Sequence, residues 1–462
     1  MVKYQKYKEI NLPWLKIIPA NWDIKRNKQF LHERKKIVGN KSSEYTLLSL
    51  TLRGIVVRDL SENKGKIPAS FDNYKIVEPG DIAFCLFDID ETPRTVGLSK
   101  YKGMLTGAYN IFHIEGINAR YLYYYYLALD NIKGLRPLYT GLRKTINVNT
   151  FLSQQMPVPP RSEQDQIVRF LDWKVSEINK LIGIRRKEIQ EFNQLKNTVI
   201  TKTVTTGLKR EELCGTDNSY YRMIPKGWRI TKTLRVLSQP LTDGPHTTPQ
   251  LYEEGIPFVS AEAVSCGNGK IDFNHIRGFI SQDFYEECCK KYVPKIDDIY
   301  MIKSGATTGR VSIVDTDRIF TIWSPLAAFR CNQEVMLPRF LFYALQALPY
   351  QQQVQDGWSY GTQQNIGMRV LEQLKLAYPD VTEQEKIACY LDDKCDMLDK
   401  AIQLAESKIK ALQELKSTII SDAVTGKIDV RNITVPEYEH VDDVVDDDLK
   451  NTEETEIDGE EA

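Results

Sequence analysis

Leu195 to Gly207 reads LKNTVITKTVTTG, and Leu415 to Gly426 reads LKSTIISDAVTG. The same helix end is written twice. Working outward from it, residues 163–205 align without a gap on residues 383–425 and match at 15 of 43 positions. The matches include Glu163/Glu383, Gln164/Gln384, Ile167/Ile387, Leu171/Leu391, Asp172/Asp392, Ile189/Ile409 and Lys196/Lys416. Further upstream, IPANW (Ile18 to Trp22) pairs with IPKGW (Ile224 to Trp228), and EPGDIAF (Glu78 to Phe84) with KIDDIYM (Lys295 to Met301). The offset is 206 at the first pair, 217 at the second and 220 in the helices, so only the helical stretches have kept their length. Two repeats of this size are not solenoid units. The chain is an internal dimer.

Each repeat opens with short β-rich runs, such as YTLLSLT, GDIAFCLF, IPFVS and RVSIV, between Gly, Pro and Asn punctuation. It closes with a long helix that follows a proline-bearing segment. Ser162 and Thr382 are the expected N-caps, with Glu163, Asp165, Glu383 and Glu385 in the first turns. Gly207 and Gly426 are the expected stops. Alternating steps of four and three from Leu171 and from Leu391 meet seven and nine apolar residues in ten. Leu171, Ile178, Ile182, Ile189 and Phe192 carry one seam; Leu391, Leu398, Ile402, Ile409 and Leu412 carry the other. Such a pattern predicts an antiparallel coiled coil relating the repeats by a pseudo-twofold axis. Some forty residues at 1.5 Å rise give a spacer of roughly 60 Å. The fold class expected is α+β: two mixed α/β globular domains joined by two long helices. The boundaries are 1–160, 161–207, 208–380, 381–427 and an acidic disordered tail over 428–462.

The 462 residues are 42% hydrophobic and 27% charged, which suits a folded multidomain protein. The apolar runs Tyr121 to Leu129 and Phe340 to Leu348 are too short to cross a bilayer, and MVKYQKYKEI has no apolar signal core. A cytoplasmic location is expected. The eight cysteines form no C-x-x-C pair and read as reduced, mostly buried thiols; the five histidines have no metal-ligand spacing. Net charge is −1, but residues 437–462 hold 13 acidic residues and one lysine, leaving +11 on the rest. A basic body suits a polyanion partner, and so acidic a tail is expected to be disordered.

Catalytic signatures are missing. VPPR (Val158 to Arg161) lacks both ends of a methyltransferase loop, and SGATTGR (Ser304 to Arg310) lacks the spacing and Lys-Ser/Thr of a phosphate loop. Asp380, Glu385 and Lys386 suggest a nuclease cluster, but a helix N-terminus explains them better. Binding is the stronger reading. In the first head DIDETPRTVG presents Arg94 and Thr95; in the second, IKSGATTGR offers Lys303, Ser304, Thr307, Thr308 and Arg310. TDGPHTTP adds His246 and Thr247. TGLRKTI and YGTQQNI add Arg143, Lys144, Gln363 and Gln364. Hydroxyls, amides and cations on glycine-bearing loops suit phosphates and base edges. The two heads differ here, so they would read different sequences.

The order head, helix, head, helix, with IPxxW, PGDI, DGPHTTP, SGATTGRV, PVPPRSEQDQI and LKxTxIxxxVTG, resembles the specificity subunit of type I restriction–modification enzymes over residues 18–430. That resemblance implies two target-recognition domains, each reading half of a split, asymmetric site in double-stranded DNA. It implies helices that set the gap and dock two methyltransferase subunits, with restriction/translocase subunits joining them. No cofactor is implied on this chain; S-adenosylmethionine, ATP and Mg²⁺ would serve the partners. The first head departs from the family pattern, because LFDIDETPRTVG stands where a serine/glycine-rich loop is common. Two other readings remain: a self-contained restriction or modification enzyme, and a coiled-coil scaffold that binds no nucleic acid.

Overall fold

A computed structural model describes residues 2–58, 70–139, 144–209, 212–358 and 364–443. The chain forms two compact units, Met1–Lys187 with Ala405–Ala462, and Glu188–Leu404. Compactness therefore divides both long helices near their middles, where the sequence suggested boundaries at the head–helix junctions. Each unit holds one head, the start of one long helix and the end of the other.

The heads share an inner scaffold. In the first, a four-stranded antiparallel sheet runs in the order 31–33, 110–114, 82–84, 96–98. In the second the order is 242–243, 326–329, 299–302, 311–313, with the same pairing throughout. The repeated (P)GDI and IDDI stretches enter the second-listed inner strand of each sheet. Asp81 and Asp298 are both 1% exposed, and each accepts a hydrogen bond from the backbone N–H three residues earlier, at Glu78 and Lys295. An arginine answers each buried carboxylate: Arg34 at 2.8 Å in one head, Arg330 at 2.6 Å in the other. The repeated motif is thus a structural corner. Outside this scaffold the heads differ. The first adds a hairpin, 48–51 with 54–57, and a pair, 75–77 with 103–105. The second adds a three-stranded sheet in which 256–259 runs parallel to 321–322. These outer lobes have small cores of their own.

Four helices organise the rest: α1 (Ala119–Asn131), α2 (Arg161–Thr206), α3 (Pro338–Gln346) and α4 (Val381–Val424). The tyrosine-rich run becomes α1 because nine of its residues find burial, leaving only a narrow wet face. Its Tyr124 hydroxyl donates to Asp172 at 2.8 Å, and Tyr343 of α3 donates to Asp392 at 2.7 Å. Gln164 accepts from the Asn118 N–H and Gln384 from the Leu337 N–H. Many of the identities repeated at the helix starts therefore fasten each long helix to its own head. The expected N-caps need correction. Both helices begin one residue before Ser162 and Thr382. The Pro160 carbonyl accepts from Glu163 and Gln164, and the Asp380 carboxylate accepts from the Glu383 N–H at 2.9 Å. Proline needs no donor at that position, and an aspartate caps directly.

Farther along, helix meets helix. In the first unit Ile178 and Ile182 of α2 share a core with Ile409, Leu412, Ile419 and Ile420 of α4. In the second, Ile200 and Val204 of α2 share one with Leu391 and Cys395 of α4. Early α2 meets late α4 and late α2 meets early α4, so the helices run antiparallel within each unit. None of the twenty seam positions is exposed, whereas Leu181, Ile184, Leu195, Leu404 and Leu415, off the seam, are. Lys196 reaches Asp399 at 2.7 Å, and Lys416 reaches Asn179 at 3.1 Å. Under the 220-residue offset these are one contact seen twice.

The twice-written helix end now has a physical cause. Gly426, at φ +72°, ends α4 against Pro19 and Trp22 of the first head. Gly207, also at φ +72°, ends α2 against Pro225 and Trp228 of the second. In the first unit Trp22 also donates to Glu163 at 2.7 Å, and Tyr4 and Asn21 donate to the same carboxylate. In the second, Glu383 lies 3.1 Å from the Cβ position of Gly207. The IPxxW tryptophan is the peg at which one helix begins and the other stops.

The tail also needs correction. Residues 428–443 are placed against the first unit, with Val430 fully buried and the Asp429 N–H donating to the Val2 carbonyl. Gln166 donates to the carbonyls of Val430 and Ile433 at 3.1 and 2.7 Å. Residues 444–462 lie outside the described residues.

Candidate nucleic-acid interface

In the second head, strand 299–302 is buried on both faces and delivers the chain into the loop 303–310. Two hydrogen bonds close that loop at its base, Ile302 N–H to Arg310 O at 2.9 Å and Gly309 N–H to Ile302 O at 2.8 Å. Gly305 turns it with φ +101°. At Gly309 a Cβ would lie 2.5 Å from the Gln351 side-chain oxygen. The loop is stitched to the segment before the second long helix: Gly305 N–H donates to Gln364 O, and Ile366 N–H to Lys303 O. Lys303, Ser304, Thr307, Thr308, Arg310 and Gln364 are thereby brought into one loop cluster. Gln363 lies outside the described residues.

The Lys303 side chain turns inward. It is 13% exposed and bonds the Asp243 carboxylate at 2.8 Å. Lys291 pairs with the other oxygen of Asp243, and exposed His246 stands 3.3 Å from it. One aspartate thus ties the 242–249 loop to the 303–310 loop and leaves a local excess of positive charge. Burial alone would raise the Asp243 pKa, but hydrogen bonds from Lys291 and Lys303 hold it below the ordinary 3.8. Thr247 is exposed beside a cavity of about 210 Å³ walled by Phe284, Lys291 and Tyr292. Arg310 donates to the Ser265 carbonyl at 3.3 Å and is exposed. Asp243 and Lys291 were missed in the sequence. The aspartate stands inside the TDGPHTTP motif, but Lys291 comes from 48 residues away and carries no local signal.

The first head builds the same loop with other residues. Cys85 N–H donates to Thr95 O at 2.8 Å, Asp88 N–H to Lys144 O at 2.8 Å and Ile146 N–H to Leu86 O at 2.7 Å. Leu86, Phe87 and Asp88 therefore occupy the places of Lys303, Ser304 and Gly305, and Thr95 that of Arg310. Asp88 takes φ +41° where the second head uses glycine. Here the expected contacts fail. Thr95 is 2% exposed; its hydroxyl donates to Asp130 at 2.7 Å and its N–H at 3.1 Å. Arg94 spans to Asp130 at 3.2 Å with only 15% of its side chain exposed. Arg94 neutralises a buried acid of α1 and Thr95 donates hydrogen bonds to it, so both pin the loop and do not present it. Lys144 is half-exposed, held by Asp90 at 3.2 Å and by Glu91, with its pKa raised to about 12 by those hydrogen bonds. Arg143 lies outside the described residues.

Of the cysteines, Cys85, Cys288, Cys331 and Cys395 are buried, Cys289 is half-buried and Cys214, Cys266 and Cys389 are exposed; all are free thiols. Burial pushes the Cys85 thiol up to about 11. Among the described residues no helix is long and apolar enough to cross a membrane.

One scaffold carrying two different loop clusters defines a duplicated recognition protein. The model of the type I restriction modification DNA specificity domain matches residues 84–191 and 250–414, more than half of the sequence, and the chain belongs to that family. The MjaVIII type I restriction enzyme specificity subunit of Methanocaldococcus jannaschii is 23% identical over 292 residues, covering 62% of this chain and 65% of that protein. The putative MjaX type I restriction enzyme specificity subunit of the same organism is 23% identical over 457 residues, covering 93% of this chain and all of that protein. The chain thus spans just under two thirds of the first relative and the whole of the second. A chain solved in work on complex assembly and conformational transition of the type I R-M system shares the fold, with a TM-score of 0.60, 14% identity, and coverage of 89% of this chain and 99% of that one.

Proposed function

We propose that the chain is the non-catalytic DNA sequence-specificity subunit of a type I restriction–modification complex. Each head reads one half of a bipartite, asymmetric site, and the antiparallel helices set the gap between the halves. What supports this reading is the contrast inside the duplication. The inner sheet, the buried aspartate corner and the tryptophan peg are kept, while the equivalent loops carry Leu86-Phe87-Asp88 in one head and Lys303-Ser304-Gly305 in the other. Two identical readers related by a twofold axis would recognise only a palindrome; two unlike readers on one chain do not have that restriction. Arg310, with Ser304, Thr307 and Gln364, meets phosphates and base edges on the second side, where Lys303 anchors the loop to Asp243; Lys144 meets them on the first. Two methyltransferase subunits dock along the helices and restriction/translocase subunits complete the complex. Those partners use S-adenosylmethionine, ATP and Mg²⁺.

The test is a map of methylated positions in DNA from cells that express the chain with its methyltransferase partners. The expected result is a single split motif with unlike halves. Exchanging residues 303–310 for an unrelated loop should change one half and leave the other intact. A change in both halves, or methylation without any motif, would overturn the proposal. The lone chain, incubated with S-adenosylmethionine and Mg²⁺, should modify nothing.

A further inference from the structure

The two units settle the same helix charges in different ways. In the second, Lys400 pairs with Asp396 at 2.6 Å on its own helix, and Lys196 pairs with Asp399 at 2.7 Å across the helix pair. The 220-residue offset puts Ser176 and Asn179 at the places of Asp396 and Asp399, so the first unit lacks both carboxylates. Its lysines at those places, Lys180 and Lys416, are nevertheless paired. Lys180 meets Glu439 at 3.4 Å, and Lys416 meets Asp443. Both acids belong to the C-terminal segment.

That segment is seated by more than charge. Ser176 and Asn179 are 1% and 2% exposed. The Asn179 side chain donates to the Val441 carbonyl at 2.9 Å, and the Val441 N–H donates to the Ser176 hydroxyl at 3.4 Å. His440 stands 3.3 Å from the same hydroxyl. A third acid, Asp442, reaches Lys100 of the first head at 3.1 Å. Three carboxylates along one short extended stretch therefore meet three lysines from the head, from α2 and from α4. The Lys100 and Lys180 side chains remain 65% and 59% exposed beside their acids, so another anion can reach them.

We infer that residues 437–443 are an autoinhibitory strap that occupies a DNA-backbone-binding surface formed by Lys100, Lys180 and Lys416. The strap's spaced carboxylates stand where phosphates would sit, and duplex DNA competes with it for the same three ammonium groups. The Lys100 and Lys180 pairs are exposed, individually weak and salt-screened, while Lys416 and Asp443 are partly covered, so a dense polyanion displaces the strap from its two exposed lysines first. The inference takes only the competitor, duplex DNA, from the proposed function.

The experiment measures binding of a labelled duplex that lacks any recognition site, over a salt series. It compares the full chain, a chain ending at Pro436, and the shortened chain carrying Lys100→Gln and Lys180→Gln. Shortening should tighten binding several-fold at low salt and steepen the slope of log affinity against log salt by about two to three. The two glutamines should remove most of that gain. A full-length chain with Glu439→Gln, Asp442→Asn and Asp443→Asn should reproduce the gain without altering chain length. Unchanged binding on shortening would overturn the strap. A gain that survives intact in the glutamine variant would also overturn it, because removing distant negative charge would then suffice. The methylation map is independent of these arms, so a correct split motif with an inert tail refutes the strap alone.

Discussion

Thr95 and Arg310 stand at the same place in two copies of one loop, yet one is sealed inside and the other is bathed in solvent. The difference lies in Asp130, the acid at the far end of α1 that draws in Arg94 and Thr95; among the described residues Arg310 bonds a carbonyl, that of Ser265, in its place. A polar loop sequence could not announce this, since the acid lies 35 residues downstream. Thr95→Val should therefore act as a stability change. It leaves a buried carboxylate short of a donor, costing about 1–3 kcal/mol in urea unfolding, with the recognised motif unaltered. Lys303 is also largely buried, but its partner Asp243 belongs to the neighbouring candidate loop. The Asp243 pKa lies below 3.8 in the folded chain, so its stabilising contribution is complete above the unfolded value of about 3.9 and is lost as pH falls through the folded one. Asp243→Asn should lower the urea midpoint at pH 7, and the gap from wild type should close in the acid range below 3.8. A gap that persists there would show that the ion pairs are not its source.

At the scale of elements, periodicity carried most of the information. The three-four spacing located both long helices and their shared seam, because burial on a helix must recur with its turn. It did not reveal that the first four turns of each are gripped by the head, since Gln164, Asp172 and their repeats read as ordinary polar residues. The helix stops were legible as glycines, and their neighbours explain why only glycine serves. A Cβ on Gly426 would sit 2.3 Å from Pro19, while one on Gly207 would come no closer to any atom than 3.1 Å, from the Glu383 oxygen. Alanine at either position is strained by the positive φ, about 1–2 kcal/mol, and Gly426→Ala should cost more in thermal melts because a rigid ring must also move. Adding one heptad to each helix should widen the tolerated gap between half-sites by about 10 Å, or three base pairs, in the methylation map. An unchanged gap would remove the spacer role.

For the whole molecule, the duplication was legible because ungapped helices preserved it, and from it came the class of fold. The outer lobes of the heads were not, since pairings such as 256–259 with 321–322 bring together strands separated by more than sixty residues. Composition misjudged the tail because the acids crowded beyond Glu437 mask what precedes them: Ile428, Val430, Ile433 and Val435 pack into the first core, and Gln166, Ser176 and Asn179 on α2 hold the backbone beside them. The helix pairing itself bears on fragments of the chain. A polypeptide holding only the second repeat would carry Lys416 and Asp399 on one helix, so two copies laid head to tail could form both ion bridges with each other. A polypeptide holding only the first would set Lys196 against Asn179 twice, with no acid at either crossing. Half-length products of this chain should thus differ in grip: copies of the later half gain two ion bridges and pair more tightly than copies of the earlier half, a difference that sedimentation would measure.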